Sequence, residues 1–339
     1  MIPTSLPIRQ PPAWQRALQE TVTDPAELLD LLGLGRAWLE PARAAARHFP
    51  LRVPRSFVAR MRRGDPLDPL LLQVLPLGVE LDQVPGFVTD PVGDLAAKAG
   101  PGLLHKYQGR ALLVTTGACA VHCRYCFRRH FPYDEENASR NGFTDALDAV
   151  RANPDITEVI LSGGDPLTLN DRRLSIVLDE LQAIAHVRRV RLHTRLPIVL
   201  PERIDRGFLD LWSSVRLQKV VVVHANHAQE IDASVRSAIA ALRDSGTTVL
   251  NQAVLLRRVN DRTDDLVALS EALFEAGALP YYLHALDPVA SAAHFDVPLA
   301  TAQALIAEVA ARLPGYLVPR LVREKPGAPA KTMLPPASR

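Results

Sequence analysis

The pattern of apolar residues changes near His105. Before this point, short apolar stretches are broken repeatedly by proline, which predicts short helices joined by an irregular connector. After it, runs rich in β-branched residues alternate with amphipathic stretches of helical period. We predict strands at 111–116, 158–161, 187–193, 220–224, 247–255 and 281–286. We predict helices at 144–152, 174–185, 203–212, 232–245, 263–275 and 299–313.

The alternation of strands and helices predicts an α/β fold. Continuous hydrophobic strands between helices are typical of a parallel sheet that is covered on its outer face. Six such units are fewer than the eight of a closed barrel, which favours a partial, TIM-like (β/α)6 barrel. A doubly wound sheet is the alternative, but no dinucleotide-binding glycine fingerprint follows the first predicted strand. We predict three segments: a helical and connector region (1–104), the barrel (105–315) and a C-terminal segment (316–339).

The N-terminal region is expected to contribute structure rather than chemistry. Trp14 and Leu18 fit one helix, and Pro25 after Asp24 is a typical helix start. The proline- and glycine-rich stretch at 65–102 reads as a connector without recognisable chemistry. The arginines between positions 52 and 63 are predicted to form a solvated face.

Composition narrows the class of protein. A net charge of +2 is too small to suggest a nucleic-acid surface. No run approaches the roughly 18 apolar residues that a membrane helix needs. The first fourteen residues contain Arg9 and several prolines but no apolar core, so we expect no signal peptide. We therefore expect a soluble, cytoplasmic protein that binds neither nucleic acid nor membrane.

All three cysteines of the protein lie in one C-x3-C-x2-C stretch: Cys119, Cys123 and Cys126. Clustered thiolates favour zinc, copper(I) or an iron–sulfur cluster. A cubane cluster usually takes four cysteines, so three would leave one iron open to a non-protein ligand. A structural zinc site needs four ligands and would have to recruit His122 or His130. Disulfides would leave one cysteine over and are disfavoured inside cells. An iron–sulfur cluster is the favoured interpretation, with zinc as the alternative.

Polar residues follow every predicted strand of the barrel. In barrels the carboxyl ends of the strands carry the chemistry, so polar residues in succession on this rim predict an active site and hence an enzyme. Outside the cysteine stretch they are Ser162, Gly163, Gly164, Asp165, His193, Thr194, Arg195, His224, Asn226, His227, Asn251, Gln252, His284 and Asp287.

The Gly163-Gly164-Asp165 stretch has two interpretations. Glycines allow a ligand close approach to the backbone, and the neighbouring carboxylate could meet a positive group. By itself the stretch also fits an ordinary strand-to-helix turn.

The motifs together resemble a known enzyme family. C-x3-C-x2-C followed by Phe127 resembles the signature of radical S-adenosylmethionine (SAM) enzymes, in which SAM chelates the open iron. Six segments, in order, look like lysine 2,3-aminomutases: CRYCFRR (123–129), LSGGDPL (161–167), LPIVLPERI (196–204), NQAVLL (251–256), YYLHALDP (281–288) and PGAPAKT (326–332). The resemblance implies a radical SAM partial barrel with a [4Fe–4S] cluster, SAM and pyridoxal phosphate (PLP). It also implies an isomerase that moves an amino group from Cα to Cβ.

The resemblance implies roles for individual cofactor-binding residues. Lys331 matches the lysine that binds PLP covalently, and Lys106 and Arg110 match positions near its phosphate. Cys119, Cys123 and Cys126 match the cluster ligands. Gly163, Gly164 and Asp165 match the motif that holds the amino group of SAM, and His224 and Gln252 match other SAM contacts.

The resemblance also implies a substrate site for L-lysine. Arg128 matches the arginine that binds the substrate carboxylate, for which a bidentate guanidinium is suited. Asp287 matches one of two carboxylates that bind the distal ammonium. Glu324 stands where clostridial members have the second aspartate, one methylene shorter, so the pose and the product configuration are open.

Within the family, the chain most resembles the short branch that makes (R)-β-lysine for the modification of elongation factor P. The sequence stops at residue 339, and we expect no cysteine-bearing C-terminal extension of the clostridial type. The implied partners are a reducing flavodoxin or ferredoxin and a ligase that modifies elongation factor P. The alternatives are a radical SAM aminomutase for another amino acid such as glutamate, and a non-catalytic metal-binding protein.

Overall fold

A computed structural model describes residues 11–336, which form one sheet of ten strands and twelve α-helices. The strands are β1 (Lys98–Gly100), β2 (Leu103–Tyr107), β3 (Arg110–Thr116), β4 (Glu158–Gly163), β5 (Arg189–Thr194), β6 (Gln218–Val223), β7 (Thr248–Val254), β8 (Leu279–His284), β9 (Arg320–Arg323) and β10 (Thr332–Met333). The helices are α1 (Ala13–Gln19), α2 (Pro25–Leu32), α3 (Leu39–Ala46), α4 (Arg55–Val58), α5 (Pro69–Leu72), α6 (Thr144–Ala152), α7 (Asp171–Gln182), α8 (Leu196–Val199), α9 (Arg206–Ser214), α10 (Ala233–Asp244), α11 (Thr263–Ala276) and α12 (Leu299–Arg312).

The strands lie side by side in chain order. Strands β3 to β9 are parallel, β1 and β2 add an antiparallel edge beside β3, and β10 runs antiparallel to β9. A doubly wound sheet reverses its strand order, and this sheet does not. In the described part of the chain β1 and β10 are not paired, so the sheet stays open. The prediction of a partial (β/α)6 barrel with an N-terminal helical region is confirmed.

The six predicted strands correspond to β3 through β8, and the six predicted helices to α6, α7 and α9 to α12. The parallel strand β9 was missed. Its sequence, Arg-Leu-Val-Arg, has only two buried apolar residues between two arginines, which is too short a pattern to indicate a strand. The antiparallel strands β1, β2 and β10 were also missed, because they are only three, five and two residues long.

The helices cover the outer face of the sheet as their apolar periods require. In α7, Asn170 caps the first turn by accepting a hydrogen bond from the backbone N–H of Arg173. Leu174, Val177, Leu178 and Leu181 recur at helical spacing and are buried. The amphipathic pattern therefore fixes which side of the helix faces the sheet.

The N-terminal region packs onto the barrel rather than standing apart. Asp24 accepts a hydrogen bond from the N–H of Ala26 at 2.9 Å, so α2 starts at Pro25 as predicted. The buried indole of Trp14 lies 4.5 Å from the guanidinium of Arg203, which is fully buried beside the barrel. The predicted solvated face of arginines is wrong for Arg60, whose guanidinium is buried and donates to the carbonyls of Glu230 and Ile198.

A large hydrophobic core extends from Trp14 to Leu321, and a smaller apolar cluster contains Leu72, Val259 and Phe295. The proposed segment boundaries at 104 and 315 remain a prediction.

The predicted absence of a signal peptide concerns residues that lie largely outside the described range. Among residues 11–336, none of the helices combines the length and the apolar character that crossing a bilayer requires.

Candidate active site

A cavity of about 510 Å³ lies inside the barrel. All of the residues for which the sequence predicts a binding or catalytic role line it: Lys106, Arg110, Cys119, Cys123, Cys126, Arg128, Gly163, Gly164, Asp165, His224, Gln252, Asp287, Glu324 and Lys331. They come from loops, strands and the C-terminal segment, so the fold brings together residues that are more than 200 positions apart in sequence, such as Lys106 and Glu324.

Two polar residues of the predicted rim have structural contacts instead. Asn251 exchanges hydrogen bonds with the backbone of Ala225, which ties β7 to the end of β6. His227 accepts a hydrogen bond from the N–H of Gln229 through Nδ1 and caps a short turn. Neither of them lines the cavity.

The three cysteines face the cavity from the loop after β3. Burial raises the pKa of Cys126 to about 11, and the nearby thiol of Cys123 adds to the shift. Burial, followed by the charges of Cys126, Asp165 and Cys123, raises the pKa of Cys119 well above its usual value. The thiols are thus close enough to oppose one another's ionisation, and a positively charged metal group would relieve that repulsion.

No group of three His, Cys, Asp or Glu side chains in residues 11–336 is arranged around a single metal ion. A cubane cluster spreads its cysteines over different irons, so its ligands are not arranged around one centre. The predicted ligation by the three cysteines remains a prediction.

The loop after β4 packs directly against the cysteine loop. The N–H of Gly164 donates to the carbonyl of Thr116 at 2.6 Å, and the N–H of Asp165 donates to the carbonyl of Ala118 at 2.8 Å. A Cβ at position 164 would lie 2.3 Å from that Ala118 oxygen. Gly163 has φ +114°, which side chains rarely allow. The two glycines therefore permit contact between the two loops.

The carboxylate of Asp165 is hydrogen-bonded by groups of the protein, and its predicted contact with a positive group of a ligand remains a prediction. Its Oδ1 accepts from the N–H of Leu167 at 3.0 Å and from the hydroxyl of Thr194 at 2.7 Å. Its Oδ2 accepts from the N–H groups of Arg195 and Leu196 at 2.7 and 3.2 Å. With two protein donors on each oxygen, this side chain joins the loops after β4 and β5 at the wall of the cavity.

Charged side chains form a chain across the cavity wall. Asp94 accepts from Nε of Arg128 at 2.6 Å and is ion-paired with Nζ of Lys106 at 2.6 Å. Lys106 also donates to Glu324 at 2.9 Å, and Lys331 donates to the other oxygen of Glu324 at 2.6 Å. Two carboxylates thus hold three cations in a fixed order.

Asp94 is a site residue that the sequence analysis missed. It lies in the connector assigned no chemistry, and its carboxylate is buried. Nothing in its neighbourhood distinguishes it from a turn residue, since the partner cations lie on β2 and on the cysteine loop. Its contact with Nε orients Arg128, whose Nη1 lies 3.4 Å from Oγ of Ser162, and the Nη side of the guanidinium is left to meet an anion.

The two predicted ammonium-binding carboxylates differ in electrostatic state. Burial opposes ionisation of Glu324, but Lys331 and Lys106 outweigh it and lower the pKa of Glu324 to about 2. Burial, with repulsion from Glu324, raises the pKa of Asp287 to about 7. Oδ1 of Asp287 is buried and has no hydrogen-bond partner. Asp287 is therefore the carboxylate of this pair that still needs a cation.

Neutral imidazoles line the middle of the barrel. Nε2 of His224 lies 3.1 Å from Nε2 of Gln252, and burial lowers the pKa of His224 to about 3. Burial also lowers the pKa of His193 and of His284 well below the usual value, and Nε2 of each has no partner. These unpaired nitrogens are available to a ligand with polar groups.

Near the first residues of β3, the guanidinium of Arg110 stacks over the ring of Tyr107 at 4.6 Å. Among the described ion pairs Arg110 has no carboxylate partner, in contrast to Lys106. Arg110 is therefore the better placed of the two predicted phosphate contacts to receive an anion.

A comparison with models of protein families gives no match for this chain. Two curated relatives match over almost their whole length. The L-lysine 2,3-aminomutase of Escherichia coli (strain K12) is 50% identical over 322 residues, which are 95% of this chain and 94% of that protein. The enzyme of the same name from Haemophilus influenzae is 44% identical over 333 residues, 98% of each chain. The chain belongs to the L-lysine 2,3-aminomutase family.

Membership in this family makes the chain an enzyme of the isomerase class and confirms the predicted resemblance. The L-lysine 2,3-aminomutase of Clostridium subterminale is 30% identical over 328 residues, 95% of this chain and 78% of that protein. The relatives from Escherichia coli and Haemophilus influenzae, which are similar to this chain in length, are thus more identical to it than the longer clostridial enzyme is. A solved radical SAM methyltransferase from Sphaerobacter thermophilus has a TM-score of 0.46 and 20% identity, covering 65% of this chain and 68% of that protein. Likeness at this level bears on neither the fold nor the function.

Proposed function

We propose that this aminomutase converts L-α-lysine to (R)-β-lysine with a [4Fe–4S] cluster, SAM and PLP. The observation that carries the proposal is the unpaired, buried Oδ1 of Asp287 in the same cavity as Arg128 and the cysteines. An unpaired buried carboxylate oxygen is costly unless a bound cation satisfies it. The distal ammonium of lysine is such a cation.

The residues present fit the three groups. Three thiols at one end of the cavity fit a cluster with one open iron, and Lys331 and Arg110 fit the aldehyde and phosphate of PLP. When bound, the cluster with SAM supplies an organic radical able to remove hydrogen from Cβ, and PLP supplies a conjugated ring that spreads the unpaired electron. The glycine loop and the His224–Gln252 pair would contact SAM.

The protein itself binds both ends of the substrate and excludes water. The Nη groups of Arg128, oriented by Asp94, would bind the α-carboxylate. Asp287 would bind the distal ammonium at the end of β8. Holding both ends fixes Cβ relative to the reacting groups, which is how positioning lowers the barrier.

Glu324 supports this arrangement in a different way from Asp287. Each of its oxygens is already paired with a lysine of the chain, so Glu324 needs a further cation less than Asp287 does. The release of Nζ of Lys331 from this pair would free Oε2 for the substrate. If glutamate were the substrate, its side-chain carboxylate would lie beside Asp287 and Glu324. Repulsion between these like charges disfavours glutamate.

Anaerobic reconstitution with iron, sulfide, PLP, SAM and L-lysine tests the proposal, with the product resolved by chiral chromatography. We expect about four irons and four sulfides per chain and formation of (R)-β-lysine. Cys126→Ala should lose SAM cleavage, and a surface variant of similar stability that retains all three cysteines should keep it. Stoichiometric zinc without iron, or turnover of glutamate but not of lysine, would contradict the proposal.

The proposal extends to the cellular role. Reduction by a flavodoxin or ferredoxin in the cytoplasm, and transfer of the product to elongation factor P by a ligase, follow from the resemblance to the short branch. Intact-mass measurement of elongation factor P, incubated with its ligase and the enzyme's product, tests the transfer. A mass increase of one lysyl group is expected with the product and should be much smaller with L-α-lysine.

A further inference from the structure

Arg195 occupies a position for which the resemblance supplies no role. It follows β5 directly, and its side chain is buried. Its Nη1 lies 2.7 Å from Sγ of Cys123, the middle cysteine of the motif. A guanidinium in contact with a cysteine sulfur is a charge-assisted donor aimed at a predicted cluster ligand.

The guanidinium is held in this place by a buried polar network. Nη2 of Arg195 donates to Oε1 of Gln73 at 2.6 Å and to Oε2 of Glu230 at 3.1 Å. Gln73 in turn donates to Glu230 at 3.1 Å, and both of these side chains are fully buried. The network fixes the direction of Nη1, because Nη2 is already committed to two acceptors.

The other contacts of Arg195 reinforce this orientation. Its guanidinium lies 5.4 Å from the ring centre of Phe57 and 5.7 Å from that of Tyr125. Its backbone N–H donates to Asp165, the same carboxylate that joins the loops after β4 and β5. The backbone N–H and Nη2 are thus committed to oxygen acceptors of the protein, and Nη1 has the contact with sulfur.

The contact between Arg195 and Cys123 would change how readily a cluster bound at this cysteine accepts an electron. Hydrogen bonds to the sulfurs and nearby charge set the reduction potential of iron–sulfur clusters. The reduced cluster carries one more negative charge than the oxidised one, so a donor and a positive charge at its sulfur stabilise the reduced form more. Glu230 partly neutralises Arg195, but it is bonded to Nη2, on the far side from the sulfur contact.

We propose that Arg195 is a positioning residue that raises the reduction potential of the cluster through its bond to Cys123, with Gln73 and Glu230 holding it in place. The inference rests on the proposed function, since it requires that the cluster be bound. It adds a role in electron transfer for residues of the N-terminal connector and of the loop after β5.

The test is an anaerobic titration with dithionite, in which the reduced cluster is measured by electron paramagnetic resonance. Arg195→Gln should shift the midpoint to a more negative value at unchanged iron content. A tenfold loss of preference for the reduced form corresponds to about 59 mV for one electron. Arg203→Gln is the matched control, because Arg203 is a fully buried arginine whose bonds go to Leu167, Leu169 and Asp171 and not to sulfur.

A second variant covers the case in which Arg195→Gln does not fold. Gln73→Leu removes an acceptor that orients Nη2 and leaves every charge in place, so we expect a smaller shift in the same direction. A wild-type midpoint in either folded, iron-loaded variant, or an equal shift in Arg203→Gln, overturns the inference and leaves the proposed function intact. Absence of the cluster from the wild-type protein overturns the proposed function instead.

Discussion

At the scale of single residues, Asp287 shows how a binding site reduces the stability of the free protein. Its carboxylate is held at the end of β8 with one oxygen unpaired, and Glu324 adds repulsion. Groups arranged in this way are stabilised when a ligand supplies the missing charge. Substitutions at this position should therefore affect substrate binding and free-protein stability in opposite directions.

Asp287→Asn should lower kcat/KM for lysine by ~10²-fold or more, because leaving a buried charge unpaired typically costs ~3–5 kcal/mol. Iron and PLP contents should be unchanged. Steady-state assays with the anaerobically loaded variant measure the effect. Glu324→Asp is expected to be milder because it keeps the charge. Wild-type turnover by Asp287→Asn, or norleucine competing equally with lysine, would rule out the assigned role.

The same substitution should stabilise the ligand-free protein above neutral pH. The folded-state pKa of Asp287 is about 7, raised above the ordinary 3.8, so folding favours the protonated form. The stability linked to this proton is present below pH 3.8 and is lost as the pH rises through about 7. The Tm of Asp287→Asn should exceed that of the wild type above pH 7, with the difference vanishing below pH 4. A constant difference across this range would contradict the assignment.

Lys331 should be the residue that borohydride links to PLP. Reduction of an imine gives a stable secondary amine, and the modified peptide can be identified by mass spectrometry. Lys331→Ala should lose the visible absorbance of the bound cofactor and aminomutase activity, whereas Lys98→Ala should keep both. If PLP were instead trapped on a peptide that contains Lys98, Lys106, Lys219 or Lys325, the assignment of Lys331 would be wrong.

At the scale of elements, the active site depends on contact between the loops after β3 and β4. These loops carry the cysteines and the two glycines, and they are joined by backbone hydrogen bonds at 2.6 and 2.8 Å. Such close approach leaves no space for a side chain at position 164. The glycine motif is thus required by the packing of the loops as well as by any ligand.

Gly164→Ala should displace the cysteine loop, because the new Cβ would lie 2.3 Å from the carbonyl oxygen of Ala118. We expect less iron to be retained after anaerobic reconstitution, with at least a tenfold loss of SAM cleavage, about 1.4 kcal/mol. Gly35→Ala is the control, since a Cβ there meets nothing within 4 Å. Full iron content in Gly164→Ala would show that the loop tolerates the displacement.

At the scale of the whole molecule, the N-terminal region completes the barrel. It supplies Trp14 to the core, Gln73 to the buried network beside Cys123 and Asp94 to the cation chain. Without this region, Arg195 would lose its contact with Gln73, and Arg128 and Lys106 would lose theirs with Asp94. The apolar surface that packs against Trp14 would also be uncovered. The stability of the barrel and the geometry of the site are therefore coupled to this region.

Trp14→Ala should lower the stability of the whole protein. Removing a buried tryptophan typically costs ~3–5 kcal/mol, which for a chain of this size corresponds to roughly 4–7 °C in Tm. Trp38→Ala is the matched control, because Trp38 is 36% exposed. Circular dichroism measures both. Equal Tm changes in the two variants would mean that the contact between Trp14 and Arg203 does not anchor the N-terminal region to the barrel.

The amino-acid sequence by itself determined the six repeated strand and helix units, since their apolar periods are local and span whole elements. It also determined the cysteine triad and the rim residues, because neighbours in sequence stay neighbours at a strand end. The family motifs extended this to Lys331, which lines the same cavity as the three cysteines and Asp287, whereas Asn251 and His227 of the rim do not line it.

Only the tertiary structure decided how the charges are paired. Lys106 meets Glu324 across 218 positions and Gln73 meets Arg195 across 122, and no local pattern encodes such distances. For the same reason Asp94 received no role from the sequence and Arg195 received no specific partner, and the four protein donors of Asp165 were not predicted. Local periodicity selects elements, whereas a buried polar group is defined by the partners that folding brings to it.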